Sequence, residues 1–275
     1  MMPQTLEETI AYQNMIHDLN QMSKEDIDQQ LLQMGCAMKY EDIQEQLKHN
    51  YNELSIADRI FETCDIREVK YPKSWIDEVV LEIAMRENYG FLHYGILSSK
   101  IRDIMNKNIA AKEKMDEGIE CYQKLCQTAK RFGITAMETM QYQVNDGVDL
   151  YACLMDLLDF GMQEAEHQPR EYRRICDFCE KLLKTFSHSH PLLRASIQYE
   201  QATAYIKLKS KKGEQIFQKL LNTHSDPCDV VLHYALAYLD QDEARAARIL
   251  QKYKKLWDPQ SDAYAVIQQI LKEIT

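Results

Sequence analysis

Glycine and proline are both scarce in this chain, at 8 and 6 residues of 275. Loops that cradle phosphate need glycine where the backbone approaches the anion, and no Walker loop, GxGxxG or GxSxG pattern is present. HExxH and EF-hand patterns are missing too, which removes the common zinc-protease and calcium-loop chemistries. No stretch approaches the roughly 18 consecutive apolar residues of a membrane helix. No alternation of polar and apolar residues extends beyond a few positions, so a sheet-based fold is not expected. The opening, MMPQTLEETIAYQ, has neither the basic nor the apolar region of a secretory leader. A cytoplasmic location follows by default. The eight cysteines fit that expectation, because most stand at apolar positions of helical stripes and behave there as small buried hydrophobes.

Helical periodicity fills the space these absences leave. It predicts helices over 5–20, 24–34, 40–49, 55–64, 74–87, 91–106, 108–132 and 135–160. Further helices are predicted over 171–186, 192–209, 213–223, 229–239, 242–256 and 261–274. Ser23 with Asp26, Ser55 with Asp58, and Asp226 before Pro227 supply starting caps. DIREVKYPKS, residues 65–74, is the least helical piece, since Pro72 discourages helix at Tyr71.

Charge divides the chain. Residues 1–106 carry a net of −9 and residues 107–275 a net of −1, within a formal −10 for the whole. An acidic N-terminal part repels the phosphate backbone, so nucleic acid is not the expected partner. The basic cluster KLKSKK, 207–212, falls in a predicted turn between helices and reads as a solvated loop.

A spacing of 33 residues recurs near the C-terminus. It relates Ala202 to Ala235, Ala204 to Ala237, Tyr205 to Tyr238, Ile197 to Val230, Gly213 to Ala246, and Phe217 to Leu250. Small residues stand where two helices would cross closely, and large apolar residues where the second packs back on the first. Such a period with two helices per unit is the signature of stacked helical hairpins. The stretch from VLHYALAYL to ARAARILQKYKKLWDP, 231–259, resembles a tetratricopeptide repeat through Tyr234, Ala235, Tyr238, Ala246 or Ala247, and Pro259. The preceding unit offers Ala202, Tyr205, Gly213, Phe217 and Pro227, but carries Gln201 where the family has a large apolar residue. An earlier unit, with Tyr151, Ala152, Met155, Ile175, Cys179 and Leu182, is looser, and its connection over 160–171 is longer than the family uses.

The resemblance implies an all-α fold, a right-handed superhelical array of antiparallel helical hairpins over 107–275, with an acidic α-helical region over 1–106. It also implies a concave face made by first helices. By match to family positions, that face would carry Asp149, Cys153, Asp156, Tyr199, Thr203, Lys207, Leu232, Leu236 and Asp240.

RRICDFCEKLLKTFSHSHP, 173–191, is the nearest thing to a metal motif. Its apolar positions Tyr172, Ile175, Cys176, Cys179, Leu182, Leu183 and Phe186 follow one continuous helical face, which puts both cysteines where a neighbouring helix must pack. Zinc knuckles place Cys-x-x-Cys on a tight turn instead. His188 and His190 fall past the helix end. A second motif, Glu164-x-x-His167, is single and sits in the predicted connection, whereas helical di-iron sites need two such motifs. The pair of helices over 40–62 could pass for a helix-turn-helix, but its second helix opposes Asp58 and Glu62 to the single Arg59.

The expected function is therefore non-catalytic: a scaffold, adaptor or regulator that takes a protein or peptide, a basic one among the candidates, along the concave face, without cofactor, membrane or nucleic acid. The alternative is a helical metal or redox protein using Cys176, Cys179, His188 and His190. A third reading is an acidic surface that mimics nucleic acid.

Overall fold

A computed structural model of the chain describes residues 6–64, 72–141 and 148–274. Among them lie fifteen α-helices and one 3₁₀ turn, with no strand. They divide into two compact units. The first gathers the described residues of Met1–Asn106 and Glu120–Leu150, the second those of Lys107–Ile119 and Tyr151–Thr275.

The first unit contains α1 (Leu6–Gln21), α2 (Lys24–Gln33), α3 (Tyr40–His49), α4 (Glu53–Thr63), α5 (Pro72–Glu87), α6 (Tyr94–Asn106), the later part of α7 (Ala111–Arg131), and α8 (Met137–Gln141). Helix α5 is its centre and touches α1, α3 and α4. Trp75, Ile76, Val79, Val80 and Ile83 form the buried face that makes this possible. Arg86, in the last turn of α5, donates to the carbonyls of Leu19 at 3.0 Å and Met22 at 2.9 Å, supplying donors to the unpaired C-terminal end of α1. Ser23 and Asp26 form the expected capping box on α2.

Ser55 is not the cap of α4. The helix starts two residues earlier, with Asn52 accepting from Leu54 N, and the Ser55 hydroxyl turns back to the Asn52 carbonyl at 2.8 Å. The start of α5 at Pro72 suits a residue with no amide hydrogen and a fixed φ. The rest of the weakly helical stretch, 65–71, lies outside the described residues.

Cys36 and Cys64 are joined by a disulfide. The other six cysteines are in no disulfide, and five of them are buried. The bonded pair withdraws part of the support for a cytoplasmic location, because disulfides persist chiefly in oxidising compartments. No helix among the described residues is long and apolar enough to cross a membrane.

The second unit contains the start of α7, then α9 (Leu150–His167), α10 (Arg170–Thr185), α11 (Pro191–Lys207), α12 (Lys211–Thr223), α13 (Pro227–Leu239), α14 (Glu243–Lys252), a 3₁₀ turn at Lys254–Leu256, and α15 (Asp262–Ile274). Helices α10 and α11, α11 and α12, and α13 and α14 pack as consecutive neighbours. Alternate helices also meet, α11 with α13 and α13 with α15. The residues related by 33 positions lie in the core: Ala202, Phe217, Ala235, Ala246 and Leu250 are all buried there. Gly213 has a definite cause. A Cβ on it would come within 2.5 Å of the Ala202 carbonyl oxygen and 3.0 Å of Ile206 N, so the α11–α12 crossing requires glycine.

Gln201, the departure from the repeat pattern, is buried and bonded: its Nε2 donates to the Cys176 carbonyl at 3.2 Å, and the Cys176 thiol faces the Gln201 carbonyl at 3.8 Å. This polar bridge ties α10 to α11.

Two predicted boundaries fail. The helix expected over 135–160 is not continuous: α8 ends at Gln141, 142–147 lie outside the described residues, and α9 begins only at Leu150. The long connection expected over 160–171 is in fact helix almost throughout, with only Gln168 and Pro169 between α9 and α10. The buried row Leu154, Leu157, Leu158, Gly161 and Ala165 carries the helical phase past Phe160. Gly161 there is a packing residue, facing Met115 of α7 and Ile175 of α10.

Candidate functional site

Cys176 and Cys179 lie on α10 against its neighbours, 1% and 0% exposed. Burial pushes the Cys176 thiol up to about 12 and the Cys179 thiol well above its ordinary value, so neither offers a ready thiolate. His188 and His190 are exposed, and His190 is occupied as the cap of α11, accepting from Leu192 N at 3.3 Å. Two buried thiols and two exposed imidazoles do not make a tetrahedron. Among the described residues no three His, Cys, Asp or Glu side chains converge as a metal site. Glu164 and His167 stand on the last turns of α9, with Glu164 accepting from Gln168 at 2.5 Å.

The second unit does present one repeated surface. On α11, Ser196, Glu200, Thr203 and Lys207 reach solvent between buried neighbours. Thirty-three residues later Asp229, His233, Leu236 and Asp240 do so on and just after α13, and after the same interval Asp262, Val266, Gln269 and Glu273 on α15. Each set has the spacing i, i+4, i+7, i+11, which is one stripe of a helix.

Contacts join the stripes. Lys207 Nζ lies 3.7 Å from Asp240 Oδ2. The Tyr151 hydroxyl hydrogen-bonds Ser196 Oγ at 3.0 Å, joining α9 to α11, and the Asp159 charge on α9 acts on Glu200 of α11. Lys207 and Asp240 also border a shallow cleft of about 620 Å³ with Glu166 and Tyr172.

Thr203, Lys207, Leu236, Asp240 and Asp156 are therefore on this open surface. Tyr199 and Leu232 are not: they are 4% and 7% exposed, in the core. Tyr199 stacks on His233 with ring centroids 4.1 Å apart and donates to Asp229 Oδ2 at 2.9 Å, so it supports the surface from below. Asp149 belongs to the first unit, one residue ahead of α9, and Cys153 is half-buried. The sequence reading missed Asp159, Ser196, Glu200, Asp229 and His233. The interval of 33 relates Ser196 to Asp229 and Glu200 to His233, but it gives no sign of Asp159.

Electrostatics mark the surface as anionic. Glu200 is pushed up to about 7, by burial first and then by the Asp159 charge. Asp159 is itself raised by burial and by Asp156. His233 is lowered by burial, which favours its neutral form.

The raised Glu200 has a consequence for stability. Its folded-state value lies above the ordinary carboxyl value, so between pH 4.5 and pH 7 the folded chain holds a proton that the unfolded chain has released. Stability contributed by this group is present at low pH and lost as pH rises through 7, by on the order of 3 kcal/mol. Glu200→Gln is expected to be more stable than the parent at pH 8 and close to it at pH 4.5, in urea unfolding. An equal difference at both pH values would mean that Glu200 titrates as an ordinary carboxyl.

Comparison with family models, curated proteins and solved structures finds no match to this chain. What the fold defines is an all-helical protein whose neighbouring helices pack in pairs.

Proposed function

We propose that the second unit is a tetratricopeptide-like, right-handed superhelical array whose first helices, α9, α11, α13 and α15, form a concave surface that binds a protein or peptide, and that the protein acts as a non-catalytic scaffold, adaptor or regulator. The observation that carries this reading is the 33-residue recurrence of the solvent-facing positions themselves. The same repeat that buries the core positions leaves these exposed positions aligned from helix to helix, so their side chains form one continuous stripe. A surface whose exposed stripe keeps register across three helices is suited to an extended ligand lying across them.

A test is selection of a random 12-residue peptide library on the immobilised protein. Selected peptides are expected to lose at least tenfold in affinity for the double variant Thr203→Arg, Leu236→Arg, while the circular dichroism of the variant stays that of the parent. Unchanged affinity would remove this surface as the binding site.

A further inference from the structure

The exposed stripe of the second unit is predominantly acidic. The first helices present Asp156, Asp159, Glu200, Asp229 and Glu273, and their one cation facing the stripe, Lys207, is already paired with Asp240. The second helices are mixed in sign: exposed Asp177 and Glu180 are followed at i+4 by exposed Lys181 and Lys184, and exposed Glu243 shares α14 with Arg248 and Lys252. Residues 107–275 nevertheless sum to only −1. Solvated helices ordinarily interleave signs at i, i+4, where opposite charges stabilise one another. Here Asp156 and Asp159 are like charges on one face, and Glu200 faces Asp159 across the helix pair. Among the described residues no hydrogen-bond donor reaches the Glu200 carboxylate, although it opens on the surface. A fold that needs only inward apolar faces gains nothing from like charges gathered on one open face. A cationic ligand would.

Resting on the peptide-binding reading above, we infer that the surface takes a basic, polyproline-II-like segment of a partner protein, with Lys or Arg at every third position, a spacing that matches neighbouring first helices. The period follows from two lengths. Packed helix axes lie about 8–10 Å apart. A polyproline-II chain has three residues per turn and rises about 3.1 Å per residue, so side chains on one side recur every ~9.3 Å. One cation then meets Asp159 and Glu200, and the next meets Asp229. The stretched backbone has no internal hydrogen bonds to give up, and its stiffness limits the entropy lost on docking.

The test uses the full-length protein and three fluorescein-labelled 12-mers, (Lys-Pro-Pro)4, (Ser-Pro-Pro)4 and (Glu-Pro-Pro)4, with an isomer of the first whose lysines are clustered. Anisotropy at 50 mM salt is expected to show (Lys-Pro-Pro)4 bound at least tenfold tighter than the other three. It should weaken at least tenfold for Asp159→Lys, Glu200→Lys and several-fold for the milder Asp159→Asn, Glu200→Gln, which keeps the variant comparable should the reversal disturb folding. Equal binding of the clustered isomer would overturn the three-residue register. Preference for the serine or glutamate peptide, lost in the Thr203→Arg, Leu236→Arg variant, would overturn the basic partner and leave the peptide-binding reading standing. If no peptide binds, or if (Lys-Pro-Pro)4 binds the charge-reversed variant undiminished, the inference fails. A concentration-dependent oligomer that the reversal dissolves would overturn it in favour of a second copy of the chain.

Discussion

Replacing Cys36 and Cys64 together by serine is expected to lower the stability of the first unit by about 3–4 kcal/mol, because the bond between them closes a loop of that entropic weight. The two residues are 28 apart and bracket α3 and α4. Cys36 stands in the loop after α2, 3% exposed, and Cys64 follows the last turn of α4. In the unfolded chain this link holds α3 and α4 within one closed loop, which removes conformations that the reduced chain would regain. Ile43, Leu47, Ile56 and Ile60, all fully buried, come from the two helices inside it. The loss corresponds to about 10 °C in the midpoint of a unit this size. Parent protein in excess reductant should fall by the same amount, and the double variant should ignore reductant. Thiol titration of the denatured parent should find six free thiols of eight. A count of eight in protein purified without reductant, with no response to reductant, would show that the bond does not form.

Much of the helix pattern can be read from the sequence because its ends are written locally. Asp226 before Pro227 predicts the start of α13, and its carboxylate does accept from Cys228 N at 2.9 Å and Asp229 N at 3.2 Å. KLKSKK contains the predicted turn: α11 ends at Lys207, α12 starts at Lys211, and Lys209 adopts φ +56° to close the helix end. The errors arise where local chemistry and tertiary packing disagree. Gly161 and Pro169 looked like two ends of a loop, yet the glycine is there so that α7 and α10 can approach α9. Ser55 looked like a cap, but Asn52 precedes it with a carbonyl that the serine itself needs.

The candidate surface was legible in period and illegible in phase. The interval of 33 locates α11 and α13, and Thr203, Lys207, Leu236 and Asp240 follow from it. Match to family positions puts Tyr199 on the surface. Its ring is instead a core element, stacked with Phe217 at 6.2 Å and His233 at 4.1 Å, with only the hydroxyl directed to Asp229. An amphipathic side chain satisfies the helical pattern in either position, so periodicity could not choose. Glu200 escaped for the converse reason: a carboxylate partly buried between helices looks, in sequence, like any solvated glutamate. The disulfide was illegible because Cys36 and Cys64 are brought together only by the packing of α2 and α4 around α3.

The largest single-site effect is expected at Glu53, where alanine should cost about 3–5 kcal/mol, the sum of two stranded buried donors. Glu53 opens α4 and is 0% exposed. Its carboxylate accepts from Gly95 N at 3.0 Å and from Ile96 N at 2.5 Å, two of the amides at the start of α6 that have no partner within their own helix. The amide before them, Tyr94 N, donates to the Tyr51 carbonyl at 2.7 Å, and the first bond of the helix itself runs from Leu97 N to the His93 carbonyl. Every early donor of α6 is thereby met by the turn 51–53 or by α6 itself, and a negative group there also favours the helix dipole. The fit leaves no slack: a Cβ on Gly95 would lie 2.6 Å from Glu53 Oε1. Glu53→Ala leaves both amides buried without an acceptor. Glu53→Gln keeps one oxygen but turns an amide donor toward the other N–H, so it should cost less, about 2 kcal/mol. Urea unfolding of the two variants should therefore rank alanine below glutamine below parent, with amide exchange at Gly95 and Ile96 accelerated in the native state. A loss under 1 kcal/mol for alanine would mean that water replaces the carboxylate, and that α4 and α6 are joined by apolar packing alone.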